Sequence, residues 1–183
     1  KIIVPKKDIN AAYHGAFFNQ ILGQDAEYII TVRHPVSSCI STYEKSGGLP
    51  DNEKFANRST IESFAMRDNI FTGANEKEIF NQDYFDVYLR YWEQYHQNLA
   101  LTGLCSQRQH KTVGYSKAAM MNTAEQFYTR FGKNSSAEKF KTFDKKNRHP
   151  QWLKKAEKSI YRVKNTWDQV GLEFPLDEVM ETW

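Results

Sequence analysis

Residues 27–48 read EYIITVRHPVSSCISTYEKSGG, and the fold turns on how this stretch divides. Tyr28, Ile29, Ile30, Thr31 and Val32 are β-branched or aromatic, in a run too short for a buried helix, so a strand is predicted. Its nearly continuous apolar character suits a central parallel strand covered on both faces. Arg33 then falls at the carboxyl end of that strand, where open α/β sheets bind their ligands. Pro35 suits the first position of a new helix, because its missing N–H costs nothing there. Ser37, Ser38 and Ser41 follow in the first turns, near backbone N–H groups that favour an anion. A guanidinium fork with hydroxyls at a helix start is suited to holding a phosphate.

Working outward, Lys1–Val4 reads as the end of a short strand before Pro5. Asp8 is a plausible N-cap for a helix to about Leu22, with Phe17, Phe18, Ile21 and Leu22 as its apolar face and Gly23 as its stop. Strand, turn, helix, turn and strand make a βαβ unit ending in Val32. Gly47, Gly48 and Pro50 break the next helix, and the polar residues 51–76 read as an insertion over the sheet's carboxyl edge, with a modest helix at about Ser59–Phe71. Glu78–Leu101 is predicted as one long helix. Tyr84, Tyr88, Tyr91 and Tyr95 form one stripe on it, and Phe85, Leu89, Trp92 and His96 a neighbouring one. Such stripes belong to a core, or else wall an acceptor pocket. Lys111–Tyr115 is predicted as another strand, followed by a helix over about Thr123–Phe131. Gln151–Val170 is a helix with Trp152, Ile160, Val163 and Trp167 inward, and Leu176–Trp183 a short last one.

The chain has 183 residues, 40% hydrophobic and 14% aromatic, enough for one domain with a sizeable core. A net charge of +3 is too mild to argue for nucleic acid. No apolar run approaches the roughly 18 residues of a membrane span. Cys39 and Cys105 are the two cysteines, without metal-ligand spacing or a disulfide framework, which leads to the expectation of a cytoplasmic protein.

Arg33, followed by His-Pro and by Ser41 eight positions on, resembles the 3′-phosphate-binding segment of sulfotransferases that use 3′-phosphoadenosine-5′-phosphosulfate (PAPS). Tyr43 stands where that family often has an aromatic, and Gln24–Tyr28 where a matching phrase precedes the strand. The resemblance implies an α/β, three-layer, mainly parallel sheet flanked by helices, of the P-loop NTPase-like sulfotransferase kind. It also implies that Arg33 and Ser41 grip the 3′-phosphate and that Tyr115 lies near the adenine. Ser116 and Lys117 replace the acidic pair that follows this Tyr in several branches. The basic stretch from Lys133 to Lys164 is by default solvated charge, but the resemblance implies that Lys145, Lys146 and Arg148 close on the 3′-phosphate. Near Lys6 or Lys7 the family carries a His or Glu as catalytic base; here Asp8 is nearest, with His14 two helical turns on. The base is left between those two, with a lysine on the leaving oxygen.

The family's Lys-Ser-Gly-Thr-like turn for the 5′-phosphosulfate is not among these residues, and its place in the family order is ahead of Lys1. The expectation is therefore a single domain over 1–183 without that N-terminal strand, loop and helix. It would move a sulfuryl group from PAPS to a hydroxyl or amine of a small-molecule, carbohydrate or lipid acceptor, leaving adenosine 3′,5′-bisphosphate and requiring no metal. The rival readings are another nucleotide-binding α/β enzyme of kinase type and a non-catalytic nucleotide-binding domain.

Overall fold

The computed structural model describes residues 15–22, 27–45, 83–103, 109–132 and 149–181. Its elements are α1 (Gly15–Ile21), β1 (Glu27–Val32), α2 (Pro35–Lys45), α3 (Tyr84–Leu101), β2 (Gln109–Gly114), α4 (Lys117–Arg130), α5 (Pro150–Gln169) and α6 (Leu176–Glu181). The class is α/β, mostly helical, with a small parallel sheet. Among the described residues that sheet has two strands, paired from Glu27↔Gln109 to Val32↔Gly114. Parallel neighbours require a crossover, and α2 and α3 lie within it. The predicted strand at Lys1–Val4, the insertion at 51–76 and its helix at Ser59–Phe71 lie outside the described residues.

β1 does not bury both faces. Ile30 and Val32 enter the core while Glu27, Ile29 and Thr31 are exposed, a period of two despite the unbroken apolar run. The helices of the core pack on one side of the strand, so the run of β-branched residues reports strand propensity rather than double burial. α1 departs similarly: Phe18 is buried, whereas Phe17, Ile21 and Leu22 are exposed.

Both aromatic stripes of α3 belong to the core. Tyr84, Phe85, Tyr88, Leu89, Trp92 and His96 are buried, and Tyr91 and Tyr95 pack partly buried against them. α5 supplies the facing surface with Trp152, Ile160, Val163 and Trp167, all buried as their spacing predicts. Phe85 stacks on Trp152 with ring centroids 4.4 Å apart, and Trp167 donates its indole N–H to the His96 carbonyl at 2.7 Å. Asp86 meets Lys155, Glu93 meets Arg162, and Gln97 meets Thr166, each pair 69 residues apart. A constant positive offset means that α3 and α5 run parallel in one register. The exposed ion pairs contribute little stability in water; full burial of each aromatic contributes roughly 1.5–3 kcal/mol.

α4 starts at Lys117, six residues before the predicted Thr123, because the Ser116 hydroxyl caps it by accepting from the Ala119 N–H at 3.1 Å. α6 closes against β2. Thr112 donates to the Glu173 carbonyl at 3.0 Å, and the Glu178 carboxylate accepts from the Gly114 N–H at 2.5 Å. A Cβ on Gly114 would lie 2.2 Å from that of Glu178. Gly114→Ala should therefore destabilise the protein by about 1–3 kcal/mol through overpacking, read as a lower midpoint in urea. An unchanged midpoint would mean that α6 does not sit on β2.

Candidate functional site

The register Val32↔Gly114 places the next residues, Arg33 and Tyr115, side by side at the carboxyl ends of the two strands. Tyr115 continues the ladder by donating its N–H to the Val32 carbonyl at 2.8 Å. Its ring lies beneath the Arg33 guanidinium, with the centroid 5.1 Å from Cζ. Ser41, two turns into α2, accepts a hydrogen bond from Arg33 Nη1 at 2.9 Å. Arg33, Ser41 and Tyr115 thus form one half-buried cluster, drawn from β1, α2 and β2. In this contact the guanidinium donates and the Ser41 oxygen accepts. The cluster is chemically suited to an oxyanion.

The junction beneath it is held by side chains that the sequence reading left out. Trp92, counted in α3 only as part of a stripe, donates its indole N–H to the Arg33 carbonyl at 3.0 Å. His34 is fully buried. Its carbonyl accepts from the Ser38 N–H at 2.9 Å and its ring Nδ1 from the Val36 N–H at 3.3 Å, which makes it the N-cap of α2. The position before a helix-starting Pro is the signal that points to this role. In the first turn of α2 the Val36 N–H is engaged by His34, Ser37 is buried, and Ser38 hydrogen-bonds the buried Tyr88 hydroxyl.

Lys6, Lys7, Asp8, His14, Lys145, Lys146 and Arg148 lie outside the described residues. A cleft of about 360 Å³ between α3 and α5 is lined by Arg90, Glu93, Gln94, Gln97 and Arg162. Glu93 binds Arg162, Gln94 binds Asn98, and Gln97 binds Thr166. Those partnerships make the cleft a seam of the helix pair. Cys39 is buried, and burial followed by the nearby Asp83 raises its thiol well above the ordinary range, so it is a core residue without thiolate chemistry. Among the described residues no helix is long and apolar enough to cross a membrane. Compared with known proteins, the chain matches no family model, no curated protein and no solved structure.

Two buried histidines tie this region to pH. Burial pushes both His34 and His96 down to about 4, the latter partly offset by its hydrogen bond to the Trp92 carbonyl. In the unfolded chain each titrates near 6.5, so the unfolded state binds more protons between those two values. The stability that comes from keeping them neutral is complete above pH 6.5 and is lost as pH falls toward 4. Urea unfolding should show a loss on the order of 2 kcal/mol per histidine between pH 7.5 and 5. His96→Gln should flatten that slope, and an unchanged slope would show that His96 is not buried neutral.

Proposed function

We propose that this chain is a PAPS-dependent sulfotransferase domain in which Arg33 and Ser41 hold the nucleotide's 3′-phosphate and Tyr115 lies against its adenosine end. One observation carries the reading: Arg33 donates to Ser41 at 2.9 Å while resting on Tyr115, at the carboxyl ends of two adjacent parallel strands. Arg33 and Ser41, eight positions apart, and the distant Tyr115 were singled out by one resemblance, and they stand together in an arrangement suited to a phosphate. The wider fold in this proposal is the three-layer, mainly parallel sheet of sulfotransferases, of which the β1–β2 pair is a part.

In the reaction an acceptor oxygen or nitrogen attacks sulfur as the bond to the bridging oxygen breaks. Sulfate ester or sulfamate forms, adenosine 3′,5′-bisphosphate departs, and the acceptor's proton passes to a base. Asp8 or His14 takes that proton, with Lys6 or Lys7 on the leaving oxygen, while Lys145, Lys146 and Arg148 close over the 3′-phosphate. Positioning and charge neutralisation supply most of the rate in such an in-line displacement. The acceptor is a small molecule, carbohydrate or lipid, and the setting cytoplasmic.

Adenosine 3′,5′-bisphosphate should bind in calorimetry and raise the melting temperature, with a stabilisation of about 2.7 kcal/mol at a hundredfold excess over Kd. Adenosine 5′-monophosphate should do far less, and equal responses would overturn the proposal. Arg33→Lys keeps the charge but loses the fork, so affinity for the bisphosphate should fall by roughly 1.5–3 kcal/mol. The melting temperature of the free variant should barely move. A badly destabilised free variant would make Arg33 structural instead.

A further inference from the structure

We propose that Trp92 is the positioning residue of Arg33, its buried indole N–H fixing the strand-to-helix junction from which the guanidinium reaches Ser41. This rests on reading Arg33 and Ser41 as an anion site.

Three consecutive carbonyls leave the end of β1 toward three different elements. The Val32 carbonyl accepts from the Tyr115 N–H at 2.8 Å, the Arg33 carbonyl from Trp92 Nε1 at 3.0 Å, and the His34 carbonyl from the Ser38 N–H at 2.9 Å. Each carbonyl direction fixes the plane of its peptide. The first two planes flank the Arg33 α-carbon, so together they set the direction in which its side chain departs. The Val32 and His34 carbonyls are met by backbone N–H groups, which ladder and helix supply whatever the side chains are. The Arg33 carbonyl is met by a side chain 59 residues away, so that contact depends on the identity of one residue.

The core holds this donor in place. The Trp92 ring is 3% exposed and lies against the His96 ring with centroids 4.3 Å apart. His96 Nδ1 lies 2.7 Å from the Trp92 carbonyl, which closes one turn of α3 around the indole. A guanidinium whose backbone is anchored in the core does not have to be ordered when a ligand arrives, and such ordering is a cost that binding otherwise carries.

The chain contains its own control. Trp167 makes the same kind of contact, an indole N–H donated to the His96 carbonyl at 2.7 Å, but that contact joins α5 to α3 rather than α3 to the junction. Loss of either indole N–H takes a donor from a carbonyl in the core, which destabilises the fold. Only the loss at Trp92 falls on Arg33.

The test compares wild type with Trp92→Phe and Trp167→Phe, which each keep an aromatic ring and remove one indole N–H. Calorimetry with adenosine 3′,5′-bisphosphate gives affinity, urea unfolding gives stability, and the Arg33 guanidinium N–H signals are recorded on the free proteins. In free wild type a through-hydrogen-bond coupling should join the Trp92 indole nitrogen to the Arg33 carbonyl carbon, and its absence overturns the proposal. Both variants should unfold at lower urea than wild type. Trp92→Phe should bind at least about tenfold more weakly, while Trp167→Phe should bind within about threefold of wild type. The Arg33 signals should be lost in the first variant and kept in the second. A folded Trp92→Phe that binds as wild type overturns the assignment. Equal losses of affinity in the two variants also overturn it, because they trace the effect to stability alone. If Trp92→Phe does not fold, titration of wild type decides: the Trp92 indole signal should move as bisphosphate is added while that of Trp167 stays, and a Trp92 signal that stays overturns the proposal. If wild type itself ignores the bisphosphate, the sulfotransferase reading fails, and the free proteins then decide the role of Trp92. Arg33 signals lost in Trp92→Phe alone uphold that role, and signals kept in both variants overturn it.

Discussion

The parallel pairing of β1 with β2 in the register Val32↔Gly114 is the constraint on which the other features of the candidate site depend. Parallel strands end at the same level only if their register is held, and a slip of one residue would turn each side chain to the opposite face. The register brings Arg33 and Tyr115 into contact and sends α2 and α4 away from the same edge of the sheet. On the far side of β2, Glu178 and the Glu173 carbonyl engage Gly114 and Thr112, so the outer edge is covered by the last segment of the described chain. Gly114 is required there because a side chain has no space against Glu178.

Among the described residues the helices give the β1–β2 pair its packed face, without which two strands are at best marginally stable in water. α3 and α5 provide it as a parallel pair, with Trp92, Trp152 and Trp167 buried between and beneath them. Trp92 connects that core to the site, since its ring is buried among the aromatics while its N–H holds the Arg33 carbonyl. The aromatic wealth of α3 therefore serves packing. Tyr88, with its hydroxyl against Ser38 and Thr42, joins α3 to α2 in the same way.

His34 shows how a site and a fold share one residue. Burial keeps the ring neutral, neutrality leaves Nδ1 as an acceptor, and the acceptor caps the helix that presents Ser41. The same burial makes the region sensitive to acid, because an imidazolium there loses both its hydration and its acceptor lone pair. Stability and the placement of Ser41 beside Arg33 are thus linked through one hydrogen bond.

The sequence alone determined the local features: the strand at 27–32, the helix begun by Pro35, the buried faces of α3 and α5, and the candidacy of Arg33, Ser41 and Tyr115. Propensity, capping and periodicity act over a few residues, so those features are legible without coordinates. They misled where burial depends on distant partners. Ile29 and Phe17 look like core residues and are exposed. Only the tertiary structure decided that β1 and β2 are neighbours, that α3 and α5 run parallel with a 69-residue offset, and that Trp92 and His34 brace the Arg33 junction. Each of these is a contact between chain segments whose separation in sequence carries no period, or a side chain whose partner is fixed by burial, and packing of the whole core selects them.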